Sequence, residues 1–98
     1  MPWNGTNGFP FNRLSILANA PEASGVYVLF NRDGNVYVGE TSNIRERLLQ
    51  HLVNETNACV ARSKPQFFAF ELVVSHQRVQ RQNVLIVELR ATCNMRLG

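Results

Sequence analysis

The chain has 98 residues and a mass of 11.1 kDa, which allows one domain near the lower end of what a single core can stabilise. Hydrophobic residues make up 45% and charged residues 17%, a balance that excludes a disordered chain. No apolar run approaches the roughly 20 residues that a membrane-spanning helix needs.

The net charge of +3 is unevenly spread, and only Lys64 among the ten basic residues is not Arg. Residues 1–43 hold Arg13 and Arg32 against Glu22, Asp33 and Glu40, whereas the basic excess lies in residues 44–98. Arg presents a planar fork that meets phosphate oxygens two at a time, so this bias suits a phosphate-rich partner; a plain solvated basic face would look the same. The first twelve residues show neither a charged n-region nor an apolar h-region, so no secretory signal is expected. Cys59 and Cys93 are too few for a disulfide scaffold and lack metal-ligand spacing. The expectation is a pair of reduced thiols in an intracellular, cytoplasmic protein.

Residues 1–20 open with Pro2, Gly5, Gly8 and Pro10, which is turn chemistry, but Trp3, Phe9 and Phe11 are too apolar for a free tail. This segment is read as an N-terminal extension lying across a domain formed by residues 21–98. A short helix over Arg13–Asn19 ends before Pro21. Val26–Phe30 and Val36–Val38, joined by Asn31-Arg32-Asp33-Gly34-Asn35, predict a β-hairpin with a five-residue loop. A helix follows, capped by Thr41, Ser42 or Asn43, with Glu46 three residues after Asn43 as in a capping box. Ile44, Leu48, Leu49 and Leu52 form its apolar stripe, and Arg47 and His51 share its flank. Residues 55–66 are expected to be a loop, with Arg62 and Lys64 giving it basic character. Phe67–Val74 then predicts a strand and Gln77–Arg90 a final helix. The fold expected is α+β: a small three-stranded antiparallel sheet flanked by helices in β-β-α-β-α order.

The last helix contains one anomaly. With Val79, Leu85, Ile86 and Leu89 turned inward, Gln82 becomes the polar residue within the apolar face, while Glu88 faces solvent. Unpartnered burial of an amide costs about 1–3 kcal/mol. Gln82 is therefore either a core Gln bonded to nearby backbone or a side chain directed into a site that needs a polar group.

Taken alone, Tyr27 and Tyr37 read as cross-strand packing aromatics. Their setting is more specific: Gly25-Val26-Tyr27, then Tyr37-Val38-Gly39, then a helix start carrying Arg47 and His51. This order resembles the GIY-YIG nuclease superfamily, over roughly residues 20–98, with Val in place of Ile in both tripeptides. The resemblance implies a DNA endonuclease that hydrolyses phosphodiesters with one divalent ion, Mg²⁺ or Mn²⁺. It implies catalytic roles for Tyr27, Tyr37, Arg47 and His51. One tyrosine would deprotonate or orient the attacking water, Arg47 would stabilise transition-state charge, and His51 would assist. Gly39, Thr41, Arg62, Lys64 and Asn94 are candidate substrate contacts.

In the excision-repair type of this family the metal-binding Glu lies twelve residues before a closing Asn. Counting back from Asn94 places Gln82 there. A hard cation prefers a charged carboxylate to a neutral amide, so the resemblance implies an attenuated or inactive nuclease, with Gln82 holding the shape of the metal site. The replacement is isosteric, as in a variant made to trap an uncleaved complex; a natural homologue that binds nucleic acid without cutting it carries the same residue. Three functions stand: the nuclease, the non-cleaving binding module, and a small protein-interaction domain. The DNA form is left open, and a homodimer is one possible source of specificity.

Overall fold

A computed structural model describes residues 3–94. The elements in chain order are β1 (Phe9–Pro10), α1 (Arg13–Asn19), β2 (Gly25–Asn31), β3 (Gly34–Thr41), α2 (Ile44–Val53), α3 (Ala58–Ser63), β4 (Phe67–Leu72) and α4 (Arg78–Leu89). One 3₁₀ turn, Ser75–Gln77, precedes α4. The sheet has four antiparallel strands in the order β1-β4-β2-β3, so the expected α+β architecture is present with one strand more than anticipated. The extra strand, β1, pairs Phe9 with Phe68 and Pro10 with Phe67. Upstream of it, Thr6 N–H donates to the Phe70 carbonyl at 2.9 Å and the Thr6 hydroxyl accepts from Phe70 N at 3.1 Å. Residues 1–2 and 95–98, the outer ends of the two units read from the sequence, lie outside the described residues.

The hairpin turns more tightly than the five-residue loop expected. Asn31 pairs with Gly34, leaving Arg32 and Asp33 at the tip, and Gly34 takes φ +154°, a value that L side chains rarely adopt. The register shifts between Leu29 and Phe30, an irregularity that increases local twist.

Strand alternation gives the sheet two buried faces. Tyr27, Leu29 and Phe68 pack with Ile16, Ile44, Leu48 and Val60 from α1, α2 and α3. On the other face, Val26, Val28, Val38 and Ala69 pack against Leu85 of α4 and Ala91. The inward side of α4 includes half-buried Gln82, Ile86 and Leu89, whereas Val79, expected inside, is 57% exposed. Val79 lies in the first turn of α4, and the residues of this helix that pack in the core are the later Leu85, Ile86 and Leu89.

Two further expectations are corrected. Residues 55–66 are not all loop: Asn57 Oδ1 caps Cys59 N and Val60 N, and α3 follows, ending at Lys64 in the left-handed region. Cys59 and Cys93 are not free thiols; they form a disulfide with Cα atoms 5.5 Å apart. Val60 anchors α3 in the core that contains Cys93, and this docking brings together cysteines 34 residues apart. No described helix is long and apolar enough to cross a membrane.

Candidate active site

The site lies where β2, β3 and α2 converge. Tyr27 is fully buried in the middle of β2 and faces Gly39 across the ladder. A Cβ at position 39 would collide with the Tyr27 hydroxyl, so glycine at this position gives the phenol its space. Tyr37 is half-buried on the edge strand β3, with its ring centroid 6.2 Å from that of Tyr27.

Asn43 sets the start of α2: its Oδ1 accepts from Glu46 N at 3.0 Å. Thr41 shapes the same entry, its hydroxyl accepting from Asn43 N and donating to Asn43 O. With Ile44 and Leu48 buried, Arg47 is left on the exposed flank, and His51, one turn further on, is half-buried. The His51 ring lies 5.4 Å from both tyrosine rings. Its Nε2 is 2.6 Å from the Tyr27 hydroxyl, and its Nδ1 is 2.6 Å from Glu55 Oε1. Burial pushes the Tyr27 phenol well above its usual pKa, and the neighbouring Arg47 guanidinium pulls it only partly back. The Arg47 pKa is raised in turn, chiefly by its interaction with the Tyr27 oxygen, so this side chain is a permanent cation.

An open cavity of about 230 Å³ lies outside this cluster, lined by Arg47, Gln50, His51, Asn54, Glu55 and Thr56. Lys64 borders an adjoining groove with His51 and Glu55, whereas Arg62 does not line it. Asn94 turns back onto β3, where its amide holds both backbone groups of Val38, the residue between Tyr37 and Gly39. Tyr27, Tyr37, Arg47 and His51, four separate choices from the sequence, therefore come together. Glu55 was not among them, and a Glu four residues after a helical His was the available signal.

Gln82 lies half-buried on α4, the helix against the opposite face of the sheet, so solvent reaches its amide. Two carboxylates on this side are paired with arginines: Glu40 with Arg78 at 2.8 Å and Glu71 with Arg81 at 2.7 Å. Among the described residues, no three His, Cys, Asp or Glu side chains cluster as a metal-ligand set. A neutral amide beside carboxylates already held by arginines does not fit a hard divalent cation.

Fold and site together define a small α+β domain that presents a phenol–imidazole pair beside a fixed cation in an open cavity. The model of the GIY-YIG catalytic domain matches residues 23–91, and the chain belongs to that family of nuclease domains. Two curated relatives are similar over short stretches. UvrABC system protein C of Hydrogenobaculum sp. (strain Y04AAS1) is 44% identical over 39 residues, and that of Aquifex aeolicus (strain VF5) is 42% identical over 38 residues. Those matches cover 40% and 39% of this chain but only 7% of either relative. Among solved structures, the GIY-YIG N-terminal endonuclease domain of UvrC from Thermotoga maritima, bound to magnesium as its catalytic divalent cation, superposes with a TM-score of 0.71. That match has 25% identity and covers 85% of this chain and 94% of the other. A point mutant of the same domain, bound to its catalytic divalent cation, gives 0.71 at 26% identity, covering 86% of this chain and 94% of the other.

Proposed function

We propose that this chain is a divalent-metal-dependent DNA endonuclease domain whose cleavage is held down by Gln82 at the metal-ligand position. The observation that carries the reading is the contact between the buried Tyr27 hydroxyl and His51 Nε2, with His51 and Arg47 lining an open cavity. Arg47 would bind a phosphate oxygen and stabilise the charge that grows on it in the transition state. Tyr27 would take a proton from the attacking water and pass its own to His51. The water oxygen bonds to phosphorus, the bond to the leaving oxygen breaks, and solvent protonates that oxygen. Tyr37 would flank the attacking water, Lys64 and Arg62 would meet the DNA backbone, and Gly39, Thr41 and Asn94 would shape the strand edge against it.

The chemistry of the donor set supports attenuation, because a Glu at position 82 would supply the charged oxygen that Mg²⁺ prefers and Gln supplies only a neutral one. The same observation favours a second reading, a module that binds DNA without cutting it.

A nicking assay on supercoiled, branched and single-stranded DNA separates the two. With Mg²⁺ or Mn²⁺, Gln82→Glu should cut where the parent chain is slow or silent. If Gln82→Glu binds DNA in a salt-sensitive manner and cuts none of these substrates, the endonuclease reading fails and the binding module stands.

A further inference from the structure

Glu55 belongs to none of the sequence motifs, yet its carboxylate is built into the site. Helix α2 stops at Val53, and the chain leaves the helical path at Asn54, with φ −141° and ψ 67°, just before Glu55. There Glu55 Oε1 lies 2.6 Å from His51 Nδ1, and Oε2 accepts from Asn57 N at 2.9 Å. Both carboxylate oxygens are therefore engaged. The His51 and Glu55 side chains are only 7% and 14% exposed, unlike a solvated ion pair along a helix.

Hydrogen-bond chemistry then orders the cluster. An ionised carboxylate only accepts, so Nδ1 of His51 carries the hydrogen. In the neutral ring, Nε2 is left with its lone pair, and the Tyr27 hydroxyl 2.6 Å away donates to it.

We propose that Glu55 is the positioning residue of a Tyr27–His51–Glu55 relay, locking His51 in the tautomer whose Nε2 receives the Tyr27 proton. The role in turnover rests on the reading of Tyr27 as the group that takes the water's proton; the tautomer lock does not. As that proton reaches the Tyr27 oxygen, the phenolic proton moves to His51 Nε2. The imidazolium so formed faces the Glu55 carboxylate, which offsets its charge until solvent takes the proton. Tyr27 alone could not perform this step as a free phenolate, because burial keeps it protonated at neutral pH.

The test is a long-range ¹H–¹⁵N correlation of the imidazoles in the intact chain at about pH 8, where an ordinary histidine is neutral. The exposed His76 is the internal reference. His51 should show a protonated Nδ1 and an unprotonated Nε2, and Glu55→Ala should abolish that preference while Glu55→Gln, which keeps an acceptor oxygen, retains it. A protonated Nε2 in the parent chain, or an unchanged tautomer in Glu55→Ala, overturns the proposal. In the Gln82→Glu background, Glu55→Ala should lower kcat about 10²-fold with KM unchanged, and Glu55→Gln should fall between. A kcat equal to the background in Glu55→Gln overturns the catalytic role even if Glu55→Ala fails to fold. If the Gln82→Glu background cuts no DNA, the endonuclease reading fails, and the parent tautomer still decides this proposal.

Discussion

Asn94 pairs its side chain with both backbone groups of Val38: Oδ1 accepts from Val38 N at 2.6 Å, and Nδ2 donates to Val38 O at 2.9 Å. Because β3 is an edge strand, these bonds replace those of a missing neighbour. The preceding residues continue the pairing, with Cys93 N donating to Val36 O at 2.7 Å and Thr92 N to Asn35 O at 3.1 Å. Asn94→Ala leaves Val38 unpaired beneath the tail and should cost about 1–3 kcal/mol of stability. Chemical denaturation measures it; an unchanged midpoint would mean that water replaces the amide without loss.

Gly39 and Tyr27 make a steric pair, and the prediction follows from space alone. Gly39→Ala places a methyl against the Tyr27 hydroxyl and must displace either the ring or β3. Overpacking of this kind costs about 1–3 kcal/mol. The ring contact with His51 should change with it, visible as shifted His51 imidazole resonances. Unshifted resonances in a stable Gly39→Ala protein would show that β3 moves instead of the phenol.

Burial of Tyr27 makes stability depend on alkaline pH. Its folded-state pKa is raised above the unfolded value of about 10, mainly by desolvation, with Arg47 opposing. The folded chain therefore holds this proton more tightly than the unfolded chain does. Its stabilising contribution is fully present below about pH 10 and is lost as pH rises above it, by up to about 1.4 kcal/mol per pH unit. Denaturation midpoints between pH 9 and 11, values chosen to bracket the ordinary phenol pKa of about 10, should fall faster for the parent chain than for Tyr27→Phe. Parallel slopes would assign the alkaline loss to other groups.

These relationships divide by how far apart in sequence their causes lie. The hairpin was legible because Asp33-Gly34 sits between two runs of β-branched and aromatic residues, and α2 because Asn43, Glu46, Ile44 and Leu48 mark its cap and buried stripe. Arg47 and His51 were legible by their spacing on that helix. Strand β1 was not, since two residues including Pro10 form a strand only by addition to β4. Six-residue α3 is too short to carry a periodic stripe. Glu55 reaches His51 across a break in the helix, a turn set by the backbone of Asn54 rather than by a local pattern. The expectation of free thiols at Cys59 and Cys93 failed for the same reason, since only the docking of α3 brings them together.

The disulfide closes a loop with a sequence separation of 34 and ties α3 to the tail that carries Asn94. By loop-closure entropy such a link stabilises by about 3–4 kcal/mol, with the mechanism model-dependent. Reduction, or a Cys93→Ser substitution, should lower the denaturation midpoint accordingly. A reduced protein with the midpoint of the oxidised one would show that core packing around Val60 holds α3 without the bond.

Lys64 and Arg62 differ in position although both carry the basic character of the 55–66 segment. Lys64 caps α3 in a left-handed conformation and borders the groove shared with His51 and Glu55, whereas Arg62 is exposed in the last turn of α3 and does not line that groove. If DNA enters along the groove, Lys64→Ala should weaken binding uniformly across sequences and reduce the salt slope by about one, the signature of one lost phosphate contact. Arg62→Ala should change both quantities less. Salt titrations of DNA affinity for the two variants make the comparison, and cleavage by Gln82→Glu carrying Lys64→Ala should persist at saturating DNA. Equal affinities for both variants and the parent chain would move the path of the DNA away from α3, towards the exposed flank of α2 around Arg47.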